Sequence, residues 1–287
     1  MTATDVIRLM REYGFNAFRA RIFVNPPERD EWGGFIGNNL DYTVKLFKRI
    51  RASAPDSILV LDFHYSDYWA DPGKQYKPKS WEGLGFQELK SALREYTKQV
   101  LERLNREGLA PDMVQIGNEV TCGFLWPEGK LCGVENVEEQ WDRFSELVCS
   151  AIEGAREAVR SIKIVIHIDR GGDWKGTYSF FSNLEKRGVD YDVIGQSYYP
   201  FWHGELESLM ENLDNTMRVF GKPVLIAETG YPHAGPEPAN EEKMRAMAWS
   251  LNPEGQKRFF EDLLLSVAKF PNVIGVLWWE PCQIPAV

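Results

Sequence analysis

The sequence predicts an α/β chain folded as a (β/α)8 TIM barrel. Three observations carry the prediction. Helical and strand patterns alternate seven times along the chain, which implies a parallel sheet with helices outside it. Nearly every predicted strand ends in polar and aromatic residues, where a doubly wound sheet would place its ligand at one switch point. No glycine-rich phosphate fingerprint occurs anywhere in the chain.

Taken in order, Ala3 to Tyr13 reads as a helix capped by Thr2 or Thr4 and stopped by Gly14. Asn16 to Ile22 follows as a strand. Arg19 and Arg21 are two apart in it, so both point to one face. Charges inside a barrel must be paired, so at least one of them should meet a carboxylate. Leu40 to Ala54 is amphipathic and helical. Ser57 to Phe63 is dense enough in apolar residues to be buried on both faces. It leads into His64-Tyr65-Ser66-Asp67-Tyr68-Trp69-Ala70-Asp71-Pro72-Gly73-Lys74-Gln75, too rich in aromatic and polar groups for a plain connector.

Gln87 to Arg106 is a long helix. Met113 to Ile116 is a short buried strand ending in Gly117-Asn118-Glu119. A helix over Glu138 to Arg160 and a strand over Lys163 to Ile168 follow, the latter carrying His167. Tyr178 to Arg187 is helical, and Val193 to Gln196 is a strand ending in Ser197-Tyr198-Tyr199-Pro200-Phe201-Trp202-His203. After the helix Leu206 to Phe220, the strand beginning at Pro223 ends in Ala227-Glu228. Gly230 to Pro253 reads as a long loop, Glu254 to Phe270 as a helix, and Val273 to Trp278 as the last strand. A (β/α)8 barrel begins with a strand and ends with a helix, so this chain lacks its first strand and last helix. The simplest account is a sequence cut at both ends; closure with seven strands is the alternative. No linker or shift in composition divides the chain, so residues 1–287 are expected to form a single barrel domain.

Two apolar strands ending in glutamate, Glu119 and Glu228, supply what a glycosidase uses: paired carboxylates brought together by the fold. A lone glutamate after a strand is as readily a helix cap or a surface ion pair. The second copy, the adjacent Asn118 and the abundance of aromatics favour catalysis. Aromatics make up 13% of the 287 residues, with 10 Trp. Many fall in predicted loops (Trp32, Trp69, Trp81, Trp126, Trp174, Trp202), where indole faces suit sugar rings. The net charge of −9 disfavours nucleic acid. No apolar run approaches the roughly 20 residues that span a bilayer. The four histidines each stand alone after strands and the cysteines show no CxxC spacing, so no metal site or cofactor is expected. Cys122 and Cys132 flank one loop and would pair in an exported protein; free thiols fit the spacing equally well. The start, Met1-Thr2-Ala3-Thr4-Asp5, has no signal segment, which implies either a cytoplasmic protein or a missing natural N-terminus.

The stretches Phe18-Arg19-Ala20-Arg21, Leu61 to Gln75, Val114 to Glu119, Leu125-Trp126-Pro127, Ser197 to Pro200, Ala227 to Pro232 and Trp278-Trp279-Glu280-Pro281 cover nearly the whole chain in order. Together they resemble glycoside hydrolase family 53, the arabinogalactan endo-β-1,4-galactanases. The resemblance implies a retaining enzyme that cleaves β-1,4-galactan with Glu119 as acid/base and Glu228 as nucleophile. It implies that Asn118 bonds the sugar 2-hydroxyl, Tyr198 orients Glu228 and Trp279 floors the reacting subsite. His64, Asp67 and Trp69 would lie in the sugar-binding loop, with Arg19, Arg21, His167 and Trp202 as further substrate contacts. The partner would be polysaccharide, with no nucleic acid or membrane, and the chain a monomer, secreted or periplasmic. Some bacterial members hold calcium; the loop after Glu228 offers no convincing ligand set, so none is expected here. A mannanase or cellulase with the same chemistry, and a sugar-binding protein that has lost catalysis, are the rival readings.

Overall fold

The computed structural model describes residues 3–31, 33–236 and 240–281. Thr2, Trp32 and Cys282 lie outside them. The seven helix–strand units occur in the expected order: α1 (Ala3–Glu12), β1 (Ala17–Ile22), α2 (Leu40–Ser53), β2 (Ile58–Phe63), α3 (Phe86–Arg106), β3 (Met113–Ile116), α4 (Val137–Ala158), β4 (Lys163–Ile168), α5 (Trp174–Lys186), β5 (Val193–Tyr198), α6 (Leu206–Phe220), β6 (Val224–Thr229), α7 (Pro253–Val267) and β7 (Val273–Trp278). The described chain thus opens on a helix and closes on a strand. Besides 3-10 turns at Lys79–Trp81 and Val120–Cys122, three further short pieces were not legible. They are an antiparallel pair between Gly123–Phe124 and Gly129–Lys130, a helical turn at Pro200–His203 and another at Glu241–Arg245.

The chain divides into two compact units, residues 3–167 with 183–192, and residues 168–182 with 193–281. In the first, β1, β2, β3 and β4 pair side by side, all parallel. In the second, β5, β6 and β7 do the same. β2 is an apolar ribbon with Leu59, Val60, Leu61 and Phe63 all buried. Between β5 and β6 the register slips at Gln196/Ser197, a β-bulge that re-aims the side chains after it. β7 is the most open strand, with Ile274 46% exposed.

The helices form for local reasons. The Asn39 side chain accepts the Tyr42 amide at the start of α2, whose buried face is Thr43, Val44, Phe47 and Ile50. Asn252 does the same for the Gly255 amide at the start of α7, with Pro253 in the first turn, where its missing N–H costs nothing. α3 and α4 face each other through Lys90–Glu146, Arg94–Glu157 and Lys98–Glu157 ion pairs.

Two turns that lead from helix to strand in the first unit follow one plan. In Asn105 to Asp112, Gly108 takes a left-handed φ of 69°. Its amide returns to the Asn105 carbonyl, and the Leu109 amide returns to Leu104. In Glu185 to Asp192, Gly188 has φ 67°, with the same bonds to Glu185 and from Val189 to Leu184. Such glycine stops satisfy the last helical carbonyls. Each turn ends on an aspartate that accepts a neighbouring strand's amide: Asp112 from Leu59 at 2.8 Å, Asp192 from Ile164 at 2.9 Å.

Candidate active site

In the first unit the side chains at the ends of β1 to β4 form one network around Asn118. Asp62, completely buried, is its anion. Arg19 donates to Asp62 Oδ2 at 2.8 Å and to Asn118 Oδ1 at 2.8 Å. Arg19 thus meets the carboxylate expected for at least one charge on β1. His64 Nδ1 accepts the Ala70 amide at 2.9 Å, so its proton is on Nε2, 3.0 Å from Asp62 Oδ2. Gln115 Nε2 donates to Asp62 Oδ1 at 2.6 Å and lies 3.3 Å from Asn118 Oδ1. Burial alone pushes the Asp62 carboxyl up; Arg19 first and His64 second outweigh it and hold it below the usual carboxylate range.

Asn118 Nδ2 donates to the Ala70 carbonyl at 2.9 Å, and His167 Nδ1 lies 3.2 Å from its Oδ1. Glu119 follows in a left-handed conformation, φ 46° and ψ 53°, which costs a non-glycine residue about 1–2 kcal/mol. Gln75 stabilises that turn by donating to the Asn118 carbonyl at 2.7 Å. The Gln75 carbonyl in turn accepts the Trp126 amide at 2.8 Å. The loop holding Trp126 is closed by a Cys122–Cys132 disulfide.

The Arg21 guanidinium lies 3.7 Å over the Trp69 ring. Phe23 meets the same indole edge-on, so one face and one edge of Trp69 are engaged within the protein. Both Asp67 oxygens accept backbone amides, from Asn25 at 2.8 Å and Lys79 at 2.9 Å, which makes Asp67 a pin between two loops. Trp81 is buried against Tyr96.

In the second unit Glu228 stands near the end of β6 and is only 6% exposed. The hydroxyl that reaches it belongs to Tyr199, at 3.3 Å from Oε2. Tyr198, the residue expected there, donates instead to the Gly204 carbonyl at 2.9 Å and is fully buried. The bulge just before it explains the exchange: a one-residue slip reverses which side chain faces which way. His203 Nδ1 accepts the Tyr199 amide at 2.9 Å. Burial, followed by the Arg170 charge, lowers its pKa to about 4. The Trp279 amide donates to the Thr229 carbonyl at 2.8 Å, fixing the residues that follow β7. A cleft of about 530 Å³ opens there, lined by Tyr199, Phe201, Tyr231, Gln256, Trp279 and Glu280 among others. Trp202 is 56% exposed, with the Lys243 ammonium 4.8 Å over its ring.

Sequence reasoning missed Asp62, Gln115, Gln75 and Tyr199. For Asp62 a signal existed: a single charge inside the apolar run Ile58 to Phe63, on the same face as His64. Among the described residues no group of three or more His, Cys, Asp or Glu side chains is placed to hold a metal ion, and no helix is long and apolar enough to cross a membrane.

Comparison with solved structures assigns the chain to the (β/α)8 barrel class and to a glycosidase within it. The Ignisphaera aggregans GH53 catalytic domain matches with a TM-score of 0.86 at 31% identity, over 100% of this chain and 79% of that one. The profile described as Glycosyl hydrolase family 53 matches residues 1–287. The chain belongs to glycosyl hydrolase family 53. Among its relatives are an "Uncharacterized protein in bgaB 5'region" of Niallia circulans, 42% identical over 98% of this chain and 77% of that one, and an endo-beta-1,4-galactanase of Bacillus subtilis, 34% identical over 98% of this chain and 64% of that one.

Proposed function

We propose that this glycoside hydrolase is an endo-acting, retaining β-1,4-galactanase whose substrate is the galactan of arabinogalactan side chains of pectin. The observation that carries the galactan reading is the family membership, with relatives at this level of identity named as endo-β-1,4-galactanases. In the proposed mechanism Glu228 attacks the anomeric carbon while Glu119, protonated at the start, donates its proton to the leaving oxygen. Water then hydrolyses the glycosyl–enzyme bond, with Glu119 now taking a proton. Tyr199 supports the ionised form of Glu228 by hydrogen bonding. The Asn118 amide carries two hydrogens; Ala70 takes one, and the other serves the sugar 2-hydroxyl. The double-displacement reading requires the two carboxyl groups about 5–5.5 Å apart in a crystal structure. A wider gap with room for water would sink it.

The Cys122–Cys132 disulfide supports export, since such bonds persist in oxidising compartments. We propose a single-domain, monomeric enzyme, secreted or periplasmic. The decisive experiment is a panel of soluble β-1,4-galactan, mannan and cellulose derivatives with product sizing. Internal cleavage of galactan alone supports the proposal. Preference for mannan or a cellulose derivative gives the reaction to another specificity. Oligosaccharide binding with no turnover would leave a sugar-binding protein.

A further inference from the structure

The turn at Glu119 sets the chain a problem. Its backbone, φ 46° and ψ 53°, suits glycine, yet the proposed chemistry needs a carboxylate at this position. Such a conformation persists where the surroundings over-determine it. Gln75, only 1% exposed, meets that need. Its Nε2 donates to the Asn118 carbonyl at 2.7 Å and to the Glu119 carbonyl at 3.4 Å. Those carbonyls belong to the two peptide groups on either side of the Glu119 Cα. Peptide groups are planar, so holding both planes fixes φ and ψ between them, and with them the direction in which the side chain leaves the backbone.

Gln75 can hold another residue because its own backbone is held. Just before it, Asp71 and Lys74 exchange amide-to-carbonyl bonds at 3.1 and 3.0 Å. Its carbonyl accepts the Trp126 amide at 2.8 Å, and two residues on, Lys77 pairs with Glu128 at 2.8 Å. Trp126 and Glu128 lie in the loop closed by the Cys122–Cys132 disulfide. The aromatic loop after β2 is thus fastened to the loop after β3, and Gln75 carries that fastening to the turn.

We propose that Gln75 is a positioning residue for the acid/base: its amide, by clamping the carbonyls of Asn118 and Glu119, sets the line along which Glu119 delivers its proton. The inference rests on the glycosidase reading above. Asn118 keeps its own side-chain bonds to Arg19 and the Ala70 carbonyl without Gln75, so losing the clamp falls on proton delivery and not on the sugar 2-hydroxyl.

The test varies how much the leaving group needs a proton. Gln75→Met keeps the length of the side chain and removes its donors. Gln75→Asn keeps the amide and draws it back by one carbon, a milder change should the methionine variant fail to fold. Both are compared with wild type and Glu119→Ala by kcat/KM on aryl β-galactobiosides with leaving groups from dinitrophenol to phenol. We expect Gln75→Met to lose about a hundredfold on the phenyl substrate and to stay within about threefold of wild type on the dinitrophenyl one, the same trend as Glu119→Ala. Gln75→Asn should follow the trend with a loss of about tenfold. An equal fall on both substrates, or wild-type values on both, would overturn the proposal while Glu119→Ala upholds the role of Glu119. Equal loss in Glu119→Ala removes the acid itself, and the proposal goes with it. If wild type acts only on mannan or a cellulose derivative, the galactan reading fails, and the aryl series of that sugar judges Gln75. No turnover of any glycoside overturns both.

Discussion

The two glutamate-bearing strand ends are built differently. Around Glu119 the neighbours are charges and amides tied to one another: Asp62 holds Arg19, His64 and Gln115, and two of these reach Asn118. At Glu228 an aromatic hydroxyl, that of Tyr199, reaches the carboxylate at 3.3 Å, and Phe201, Tyr231 and Trp279 line the cleft beside Tyr199. The first arrangement fixes an orientation; a buried network of this kind is costly to disturb because each lost partner strands another polar group. The second brings an aromatic hydroxyl to a carboxylate, beside surfaces fit for a ring. Under the proposed roles, the residue that must deliver a proton along one direction sits on the rigid side.

The sharpest way to break this comparison is to remove each carboxylate. Glu228→Ala should lose essentially all turnover on every substrate and recover it with azide, giving product of inverted configuration. Glu119→Ala should lose turnover on galactan yet keep activity on aryl galactosides whose leaving group needs no proton. Equal loss on both substrate types in both variants would erase the distinction.

Asp62→Asn probes the network. It leaves Arg19 buried beside a neutral group, which costs about 3–5 kcal/mol. At about 2–4 °C per kcal/mol, the melting temperature should drop by on the order of 10 °C in calorimetry. In wild type the depressed Asp62 pKa means this stability is present above the ordinary aspartate value near 3.9 and is lost as pH falls through the folded value. An unchanged melting temperature in Asp62→Asn at pH 7 would mean that the network does not brace the site.

The second strand end has its own acid sensitivity, higher in pH. The folded His203 pKa of about 4 lies below the ordinary 6.5. Its contribution is therefore full above about pH 6.5 and lost as pH falls towards 4, on the order of 2 kcal/mol. His203→Gln should flatten the melting-temperature profile across that window. A profile that keeps its slope in the variant assigns the loss to other groups.

The smallest effect separates the adjacent tyrosines. Tyr199→Phe should move the acid limb of the kcat/KM profile to higher pH, with little change in stability. Tyr198→Phe should leave that limb in place and cost about 1 kcal/mol of stability, through the lost bond to Gly204. The reverse pattern would restore Tyr198 as the residue acting on Glu228.

These tyrosines also mark where the sequence stopped being readable. Periodicity placed all seven strands because burial dictates it, and β5 was placed to within two residues of its end. A bulge leaves no periodic trace, so facing after Gln196 was invisible. The bonds of Asp67 were unreadable for a related reason: a polar loop residue offers the same letters whatever it meets, and here it accepts the amides of Asn25 and Lys79. That at least one of Arg19 and Arg21 would meet a carboxylate was readable because a buried charge demands a partner. That Arg19 does so, with Asp62, required the register of β1 on β2.

The paired turns ending at Asp112 and Asp192 have a practical consequence. Each packs a helix brake, a chain reversal and a register pin for the adjacent strand into eight residues. The segments Asn105–Asp112 and Glu185–Asp192 share these bonds while their aspartates meet different cations, Arg51 in one and Arg156 with Lys163 in the other. For an engineer assembling barrels from pieces, they mark a recurring connector in which one glycine, one buried apolar residue and one aspartate hold the same places.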